Sequence, residues 1–188
     1  QHRVNVAHLV PPLILLLAKH PAVKPEMISS LECIMSGAAP LDAHTQQEAA
    51  TRIGCEVVQG YGMTETSPVL TIDCVKGGKA GAAGQLVPST EACLKVADPA
   101  SKTGFRDAQP GEEGELWCRG PQVMPGYLNR PDATSETLVD GFVRTGDIAT
   151  VDNEGNFFIV DRVKELIKVK GLQVAPAELE GLLLTHPA

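Results

Sequence analysis

Length, composition and charge exclude several classes of protein. The chain has 188 residues, of which 43% are hydrophobic, a composition typical of a folded globular protein and not of a disordered one. Its net charge of −7, from 16 basic and 23 acidic residues, argues against a surface for nucleic acid or anionic membranes. We therefore expect no nucleic-acid partner, and any polyanionic ligand must be held by a few placed cations.

The cysteines indicate the redox compartment of the protein, and the hydropathy pattern bears on membrane insertion. The 5 cysteines include no CxxC pair and no Cys/His cluster, so we expect reduced thiols in a cytoplasmic or peroxisomal protein. No stretch reaches the ~20 apolar residues that a transmembrane helix needs. The chain begins at Gln1 and stops at Ala188 just past a helical pattern, so we expect an internal fragment of a longer protein.

The N-terminal part carries the pattern of a parallel α/β unit. In chain order the sequence predicts strand Arg3–Val10, helix Pro11–His20, strand Leu31–Met35, helix Asp42–Ile53 and strand Glu56–Gln59. Asp42 is a suitable N-cap, and Gly54 is a suitable stop for the second helix. Two buried strands with a helix between them indicate a βαβ unit in a parallel sheet.

Small-residue loops follow both strands of this unit. Ser36–Pro40 ends the first strand, and the polar loop Gly60–Pro68 ends the second. Ligands of open parallel sheets bind outside the carboxyl ends of adjacent strands, so both loops are expected to border one crevice. Gly37, Ala38 and Gly60 would leave room there for a flat ring or an acyl chain, although small residues can also serve packing alone.

The second loop also carries a hydroxyl beside a carboxylate. In Gln59-Gly60-Tyr61-Gly62-Met63-Thr64-Glu65, Thr64 and Glu65 form the pair needed to hold a phosphate oxygen beside Mg²⁺. Taken alone, this heptapeptide is more typical of an ordinary glycine loop after a strand.

From Glu91 onward the pattern is that of a small antiparallel β-subdomain. Short alternating segments predict strands at Ala92–Ala97, Glu115–Arg119, Phe142–Arg144, Ile148–Val151 and Phe157–Val160, with a hairpin turn at residues 152–156. In Arg144-Thr145-Gly146-Asp147 a carboxylate follows a Thr-Gly turn and could accept hydrogen bonds from the two hydroxyls of a ribose. The alternative is an aspartate that serves only the turn.

The last part of the chain concentrates cations. Lys164, Lys168 and Lys170 alternate with apolar residues, which favours a strand with a cationic face for an anionic ligand at a domain interface. A solvated charged face is the alternative. We expect three parts: 1–90, a partial α/β subdomain; 91–161, the β-subdomain; and 162–188, a hinge and the truncated start of a further domain.

The motifs together resemble one superfamily. Segments Ser36–Pro40, Gln59–Glu65, Gly114–Leu128, Arg144–Asp147 and Asp161–Glu180 are similar, in the same order, to those of adenylate-forming enzymes. Within that superfamily, SGAAPL, QGYGMTE and KGLQVAPAELE resemble the 4-coumarate–CoA ligases and similar acid–CoA ligases. The resemblance implies the C-terminal part of a large α/β N-domain, a small antiparallel β-subdomain, and the start of a small α+β lid domain.

The resemblance also implies a reaction and its cofactors. ATP activates a small-molecule carboxylic acid as acyl-AMP with release of pyrophosphate, and coenzyme A then displaces AMP, with Mg²⁺ assisting. By position, Ala38, Gln59 and Gly60 match residues that line the adenine and acyl-group sites in that superfamily. Thr64 matches a phosphate contact, and Glu65 matches the Mg²⁺ ligand.

Further positions match the ribose site and the region of the hinge. Asp147 and Arg162 match ribose contacts, and Lys164 falls at the hinge position. Lys168 and Gln173 match groups that approach the acyl-AMP.

The resemblance also assigns coenzyme A contacts and the lining of the acyl pocket. Lys170 and Gly171 match coenzyme A contacts. Pro68, Val69 and Ile72, with the small residues of the crevice, match the lining of the acyl pocket.

Two other interpretations fit the same residues. A luciferase-like oxygenase would share the adenylation step and differ in the acceptor. A non-catalytic nucleotide-binding remnant would explain why the phosphate loop and the adenylation lysine, which the resemblance places outside the chain, are absent. Because the resemblance places these two elements outside the chain, we expect this length of the ligase to be inactive alone.

Overall fold

The fold is seen in a computed structural model that describes residues 2–74, 77–163, 167–169, 172–174, 176, 179, 182 and 183. It is a mixed α/β fold built on two main sheets, which confirms the predicted fold class. All five cysteines are free thiols, as expected. Among the described residues, no helix has both the length and the apolar character needed to cross a bilayer.

The first sheet has five strands in the order β1-β2-β3-β4-β5. Their bounds are Val6–Leu9, Cys33–Ser36, Glu56–Gly62, Val69–Ile72 and Gln85–Leu86. β1, β2 and β3 are parallel, and β4 and β5 continue the sheet in antiparallel pairing. The predicted parallel βαβ unit is therefore present as β2, a helix and β3.

Two α-helices pack beside the parallel strands. α1 (Pro11–Lys19) begins with proline in its first turn, and α2 (Ala43–Ile53) is capped as predicted. The Asp42 carboxylate accepts a hydrogen bond from the Thr45 N–H at 2.8 Å, and Gly54 ends the helix in the left-handed region at φ 77°. Their buried side chains form a continuous apolar core with the sheet: Ile14, Ala18, Ile34, Leu41, Ala49, Ile53 and Val57.

The glycine-bearing segment differs from its sequence prediction. Gly60–Pro68 was expected to be a loop, but β3 continues through Gly62 because it gains an antiparallel partner in β4. At Gly62 the strand passes so close to the turn that a Cβ would lie 1.7 Å from the Pro68 carbonyl oxygen. Only glycine fits at this close approach.

The second sheet has six strands, with path β11-β10-β8-β6-β7 and β9 pairing with β10. Their bounds in chain order are Glu91–Ala97 (β6), Phe105–Asp107 (β7), Gly114–Arg119 (β8), Leu138–Val139 (β9), Phe142–Val151 (β10) and Phe157–Arg162 (β11). All these pairings are antiparallel, as predicted for this part of the chain. The two strands expected at Phe142–Arg144 and Ile148–Val151 are one strand, β10, with irregular register between them.

The sequence did not predict β7, β9 or the short helix α3 (Pro131–Thr137). α3 buries none of its residues, so it lacks the apolar periodicity that marks a helix in a sequence. The described part of the C-terminal segment contains the hairpin strands Ile167–Val169 (β12) and Leu172–Val174 (β13). The predicted helix Pro176–Leu184 lies largely outside the described residues.

Candidate functional site

A row of predicted pocket residues crosses the first sheet at the carboxyl ends of β2 and β3. Gly60 is in register with Ile72 of β4. A Cβ on Gly37 would lie 3.9 Å from the Gly60 carbonyl oxygen, so the two small-residue segments are in contact range. Val69 and Ile72, which are 39% and 38% exposed, stand opposite Gly62 and Gly60. The structure thus brings these residues to one end of the sheet, and their role as a pocket stays a prediction.

A buried pair of glutamines holds the loop that carries Ala38. The Gln59 side chain, 7% exposed, accepts from the Leu41 N–H at 3.2 Å and donates to the Leu41 carbonyl at 2.9 Å. It also donates to the Gln46 side chain, whose own amide donates to the Val57 carbonyl. Ala38 itself is exposed, with the left-handed φ of 70°. The amide of Gln59 therefore supports the loop, and a nucleotide contact by Gln59 stays a prediction.

The turn after β3 presents Thr64 and Glu65. Thr66 is fully buried; its hydroxyl accepts from the Met63 N–H at 3.1 Å and lies 3.1 Å from the Pro68 carbonyl. This hydroxyl fixes the turn, and the Thr64 side chain is left exposed. Glu65 is half-buried and accepts a hydrogen bond from the Tyr127 hydroxyl at 2.5 Å.

Asp147 lies on β10, where the strand departs from regular pairing with β8 between Arg144 and Ile148. The Thr145 hydroxyl lies within this irregular stretch. It donates a hydrogen bond to the Leu116 carbonyl at 2.7 Å and accepts one from the Asp147 N–H at 3.1 Å. The Asp147 side chain is held in a buried position, with only 7% of the residue exposed. A local irregularity therefore sets where this carboxylate points.

Two partners reach the Asp147 carboxylate. Arg162 of β11, in register with Asp147, forms a salt bridge at 3.3 Å, and Tyr61 of β3 donates its hydroxyl at 2.5 Å. Burial first, and then the charge of Asp147, raises the pKa of Tyr61, so the phenol stays protonated as a donor. Each carboxylate oxygen can accept more than one hydrogen bond, which leaves capacity for hydroxyl groups of a ligand.

Tyr61 joins the two sheets at the candidate site. Tyr61, which lies on β3 of the first sheet, packs against two apolar clusters, one containing Leu94 and Leu116 of the second sheet and the other containing Leu70 of the first sheet and Val143 of the second. Because Thr64 follows Tyr61 shortly in the chain, the contacts place the Thr64 turn, Asp147 and Arg162 in one region of the molecule.

The remaining predicted site residues lie in the C-terminal segment. Lys164, Lys170 and Gly171 are outside the described residues. Lys168 and Gln173 are register partners in the β12–β13 hairpin, of which only the backbone is described. The roles of these five residues stay predictions.

The oxygen donors at the turn fit magnesium that is shared with a substrate. Mg²⁺ prefers oxygen ligands and keeps several from water and phosphate, binding protein through only one or two carboxylates. Glu65 offers one carboxylate next to the hydroxyl of Thr64. Across the described ranges no group of three or more His, Cys, Asp or Glu side chains could hold a metal alone. A protein-only metal centre thus has no support among those residues.

Two tyrosines were not among the predicted site residues. Tyr61 stands between the glycines of QGYGMTE, and Tyr127 lies in the segment Gly114–Leu128 that contributed to the resemblance. The signal was their presence inside these motifs, but sequence alone does not show that each hydroxyl reaches a predicted carboxylate.

Comparisons with known proteins relate the chain to one family and to named relatives. The sequence model of a family described as AMP-binding enzyme matches residues 1–128. The chain is 48% identical to 4-coumarate–CoA ligase 2 of Oryza sativa subsp. japonica, over 99% of this chain and 33% of that protein. It is 47% identical to 4-coumarate–CoA ligase 2 of Narcissus pseudonarcissus, over 98% of this chain and 33% of that protein. The chain thus spans only 33% of these relatives' length.

Solved structures give the same fold. ATP-bound MatB from Rhodopseudomonas palustris superposes with a TM-score of 0.87 at 33% identity, covering 98% of this chain and 36% of that one. O-succinylbenzoate coenzyme A synthetase from Bacillus subtilis, in complex with ATP and magnesium ion, gives 0.82 at 33% identity, covering 100% of this chain and 38% of that one.

Proposed function

The chain belongs to the AMP-binding enzyme family, and on that premise we propose that it is part of an AMP-forming carboxylic acid–CoA ligase. The intact ligase, meaning the protein that carries this sequence over the length of its relatives, would convert an acid, ATP and coenzyme A into acyl-CoA, AMP and pyrophosphate. The names of the curated relatives support this activity. The observation that carries the proposal is the link from the Thr64 turn through Tyr61 to Asp147 and Arg162.

The nucleotide would lie across this link. Asp147 is an acceptor already oriented by two donors, and Arg162 beside it is a cation with 68% of its side chain exposed. A ribose would donate its hydroxyls to the Asp147 carboxylate, and adenine would lie against Ala38, Gln59 and Gly60. The partly buried carboxylate strengthens such hydrogen bonds because little water competes for it.

Adenylation would take place at the exposed Thr64 hydroxyl. The acid's carboxylate attacks the α-phosphorus of ATP and pyrophosphate leaves, while Thr64 donates a hydrogen bond to a phosphate oxygen. Glu65 would hold magnesium, which when bound neutralises phosphate charge. The acyl group would lie over the row formed by Gly37, Gly60 and Ile72, with Pro68 and Val69 nearby.

The second half-reaction would use the C-terminal segment. The coenzyme A thiol attacks the acyl carbonyl and AMP leaves. By resemblance, Lys168 and Gln173 approach the acyl-AMP, Lys170 and Gly171 contact coenzyme A, and Lys164 is the hinge. We also propose the division into 1–90, 91–161 and 162–188, and a cytoplasmic or peroxisomal location.

Two variants of the intact ligase test the proposal. Asp147→Ala removes the ribose acceptor, and we expect at least about tenfold weaker ATP binding, since the loss of one charged hydrogen-bond partner costs more than ~1.4 kcal/mol. Lys170→Glu should leave ATP–pyrophosphate exchange intact and impair thioester formation. Equal loss of exchange in both variants would contradict this division of labour.

The acceptor is tested separately. Wild-type enzyme supplied with ATP, an acid panel and coenzyme A should form a thioester. AMP release without a thioester would instead favour the luciferase-like reaction, in which adenylation is retained and the acceptor differs.

A further inference from the structure

A tyrosine outside the predicted site is bound to the carboxylate proposed to hold magnesium. Tyr127 lies between β8 and α3, and its hydroxyl donates to Glu65 Oε1 at 2.5 Å. Its own N–H donates to Thr134 Oγ1 at 2.9 Å, and Thr134 in turn donates to the Arg130 carbonyl. The main chain of Tyr127 is therefore anchored to α3 while its phenol reaches Glu65.

The same segment also holds the main chain of Glu65. The Met124 N–H donates to the Glu65 carbonyl at 2.8 Å. Backbone and carboxylate of Glu65 are thus fixed by two points of one segment, far from it in sequence. No cation of the described residues forms a salt bridge with Glu65, so within that part of the chain its side chain is oriented by a neutral donor.

The chemistry of this contact suits a metal ligand. A neutral phenol fixes one carboxylate oxygen without cancelling the negative charge, and no described residue donates a hydrogen bond to the second oxygen. A lysine or arginine at the same place would compete with the cation.

We propose that Tyr127 is a positioning residue that orients the Glu65 carboxylate for a magnesium–nucleotide complex. The proposal rests on the proposed function. Mg²⁺ requires near-ideal octahedral geometry, so a ligand that samples several rotamers binds it less well than one already held. Partners that orient metal ligands typically contribute about 10- to 100-fold to metal affinity or activity.

The test measures ATP binding to the intact ligase by calorimetry, with Mg²⁺ and with EDTA. Tyr127→Phe keeps the ring and removes the hydroxyl. We expect the affinity for ATP in Mg²⁺ to fall about tenfold and the affinity in EDTA to stay unchanged. In pyrophosphate exchange the half-saturating Mg²⁺ concentration should rise while the rate at saturating Mg²⁺ is retained.

Leu128→Ala is the matched control. Leu128 is the adjacent residue and 90% exposed, so its truncation perturbs the same segment without touching the hydrogen bond to Glu65. We expect no change in either binding measurement. A Glu65→Gln background provides a second check: there, Tyr127→Phe should add little, because both changes act through one interaction.

Three outcomes would overturn the inference. These are equal weakening with Mg²⁺ and with EDTA, no weakening in either, or full additivity of Tyr127→Phe with Glu65→Gln. A failure of the proposed function looks different, because wild-type enzyme would then show no ATP binding or pyrophosphate exchange at all.

Discussion

The two halves of the molecule are stabilised in different ways. The parallel half, formed by β1–β3 with α1 and α2, is held by an apolar layer between helices and sheet in which Ile14 and Ile34 are fully buried. The ion pair that its described residues form, Lys19–Glu48, is long at 3.8 Å, and Lys19 is exposed. Burial of apolar area therefore provides most of the stability of this half.

The antiparallel half, formed by β6–β11, contains charged side chains that pair across neighbouring strands. Arg144 pairs with the buried carboxylate of Glu115 at 3.0 Å, and its guanidinium lies 5.3 Å from the ring centre of Trp117. Lys95 pairs with Asp107 at 2.7 Å across neighbouring strands. Charged groups are thus part of the framework of this half, including Asp147.

The contrast indicates what each half contributes to the site. The parallel half provides a surface of small residues, and the antiparallel half provides the Asp147 carboxylate, the proposed acceptor for a ribose. Tyr61 meets both requirements because its ring packs with apolar neighbours and its hydroxyl reaches Asp147.

The largest expected effect separates the two halves. Ile34→Ala and Leu116→Ala each truncate a fully buried side chain, one in each core, and should each cost about 2–5 kcal/mol of unfolding free energy. We expect hydrogen exchange to accelerate mainly in the half that carries the change. Uniform acceleration over both sheets would show that the halves unfold as one unit.

A smaller effect is expected from the buried amide network. Gln59→Ala leaves the N–H and carbonyl of Leu41 without partners and should cost about 2–3 kcal/mol in denaturant unfolding. The matched control is Gln122→Ala in the antiparallel half, where one side-chain hydrogen bond to Thr90 is lost. Similar losses in the two variants would argue against a special role for the Gln59 network.

The link between the halves should be weaker than either core. Tyr61→Phe removes the donor to Asp147 but keeps the ring, so we expect a loss of about 1 kcal/mol in unfolding free energy. ATP affinity, measured by calorimetry, should fall less than in Asp147→Ala. A larger fall in affinity than for Asp147→Ala would mean that Tyr61 does more than orient this carboxylate.

The smallest effect concerns the partly exposed ion pair of Arg106 and Glu112 in the antiparallel half. The hydrogen bond from Arg106 lowers the pKa of Glu112 from 4.5 to about 2. Because the folded-state pKa is the lower one, the contribution is complete above pH 4.5 and is lost as the pH falls toward about 2. Glu112→Gln should therefore lower the melting temperature slightly at neutral pH and progressively less in acid; a constant difference would contradict this assignment.

Local features were predictable from the sequence, and distant contacts were not. The caps at Asp42 and Gly54 were predicted because helix ends are encoded by neighbouring residues. The extension of β3 depends on its partner strand, which the local pattern does not specify. Tyr61 and Asp147 are separated by 86 positions, and Tyr127 and Glu65 by 62. The residues around each tyrosine therefore do not indicate which carboxylate its hydroxyl contacts.

The bridging hydroxyl of Thr145 limits which insertions and deletions this segment tolerates. It occupies the place of a ladder hydrogen bond between β8 and β10, directly before Asp147. Side chains alternate between the two faces of a strand, so removing or adding one residue here would turn the carboxylate to the opposite face. We therefore expect the distance along the chain from this threonine to the aspartate to be invariant among active descendants of the gene, whatever happens to the loops on either side.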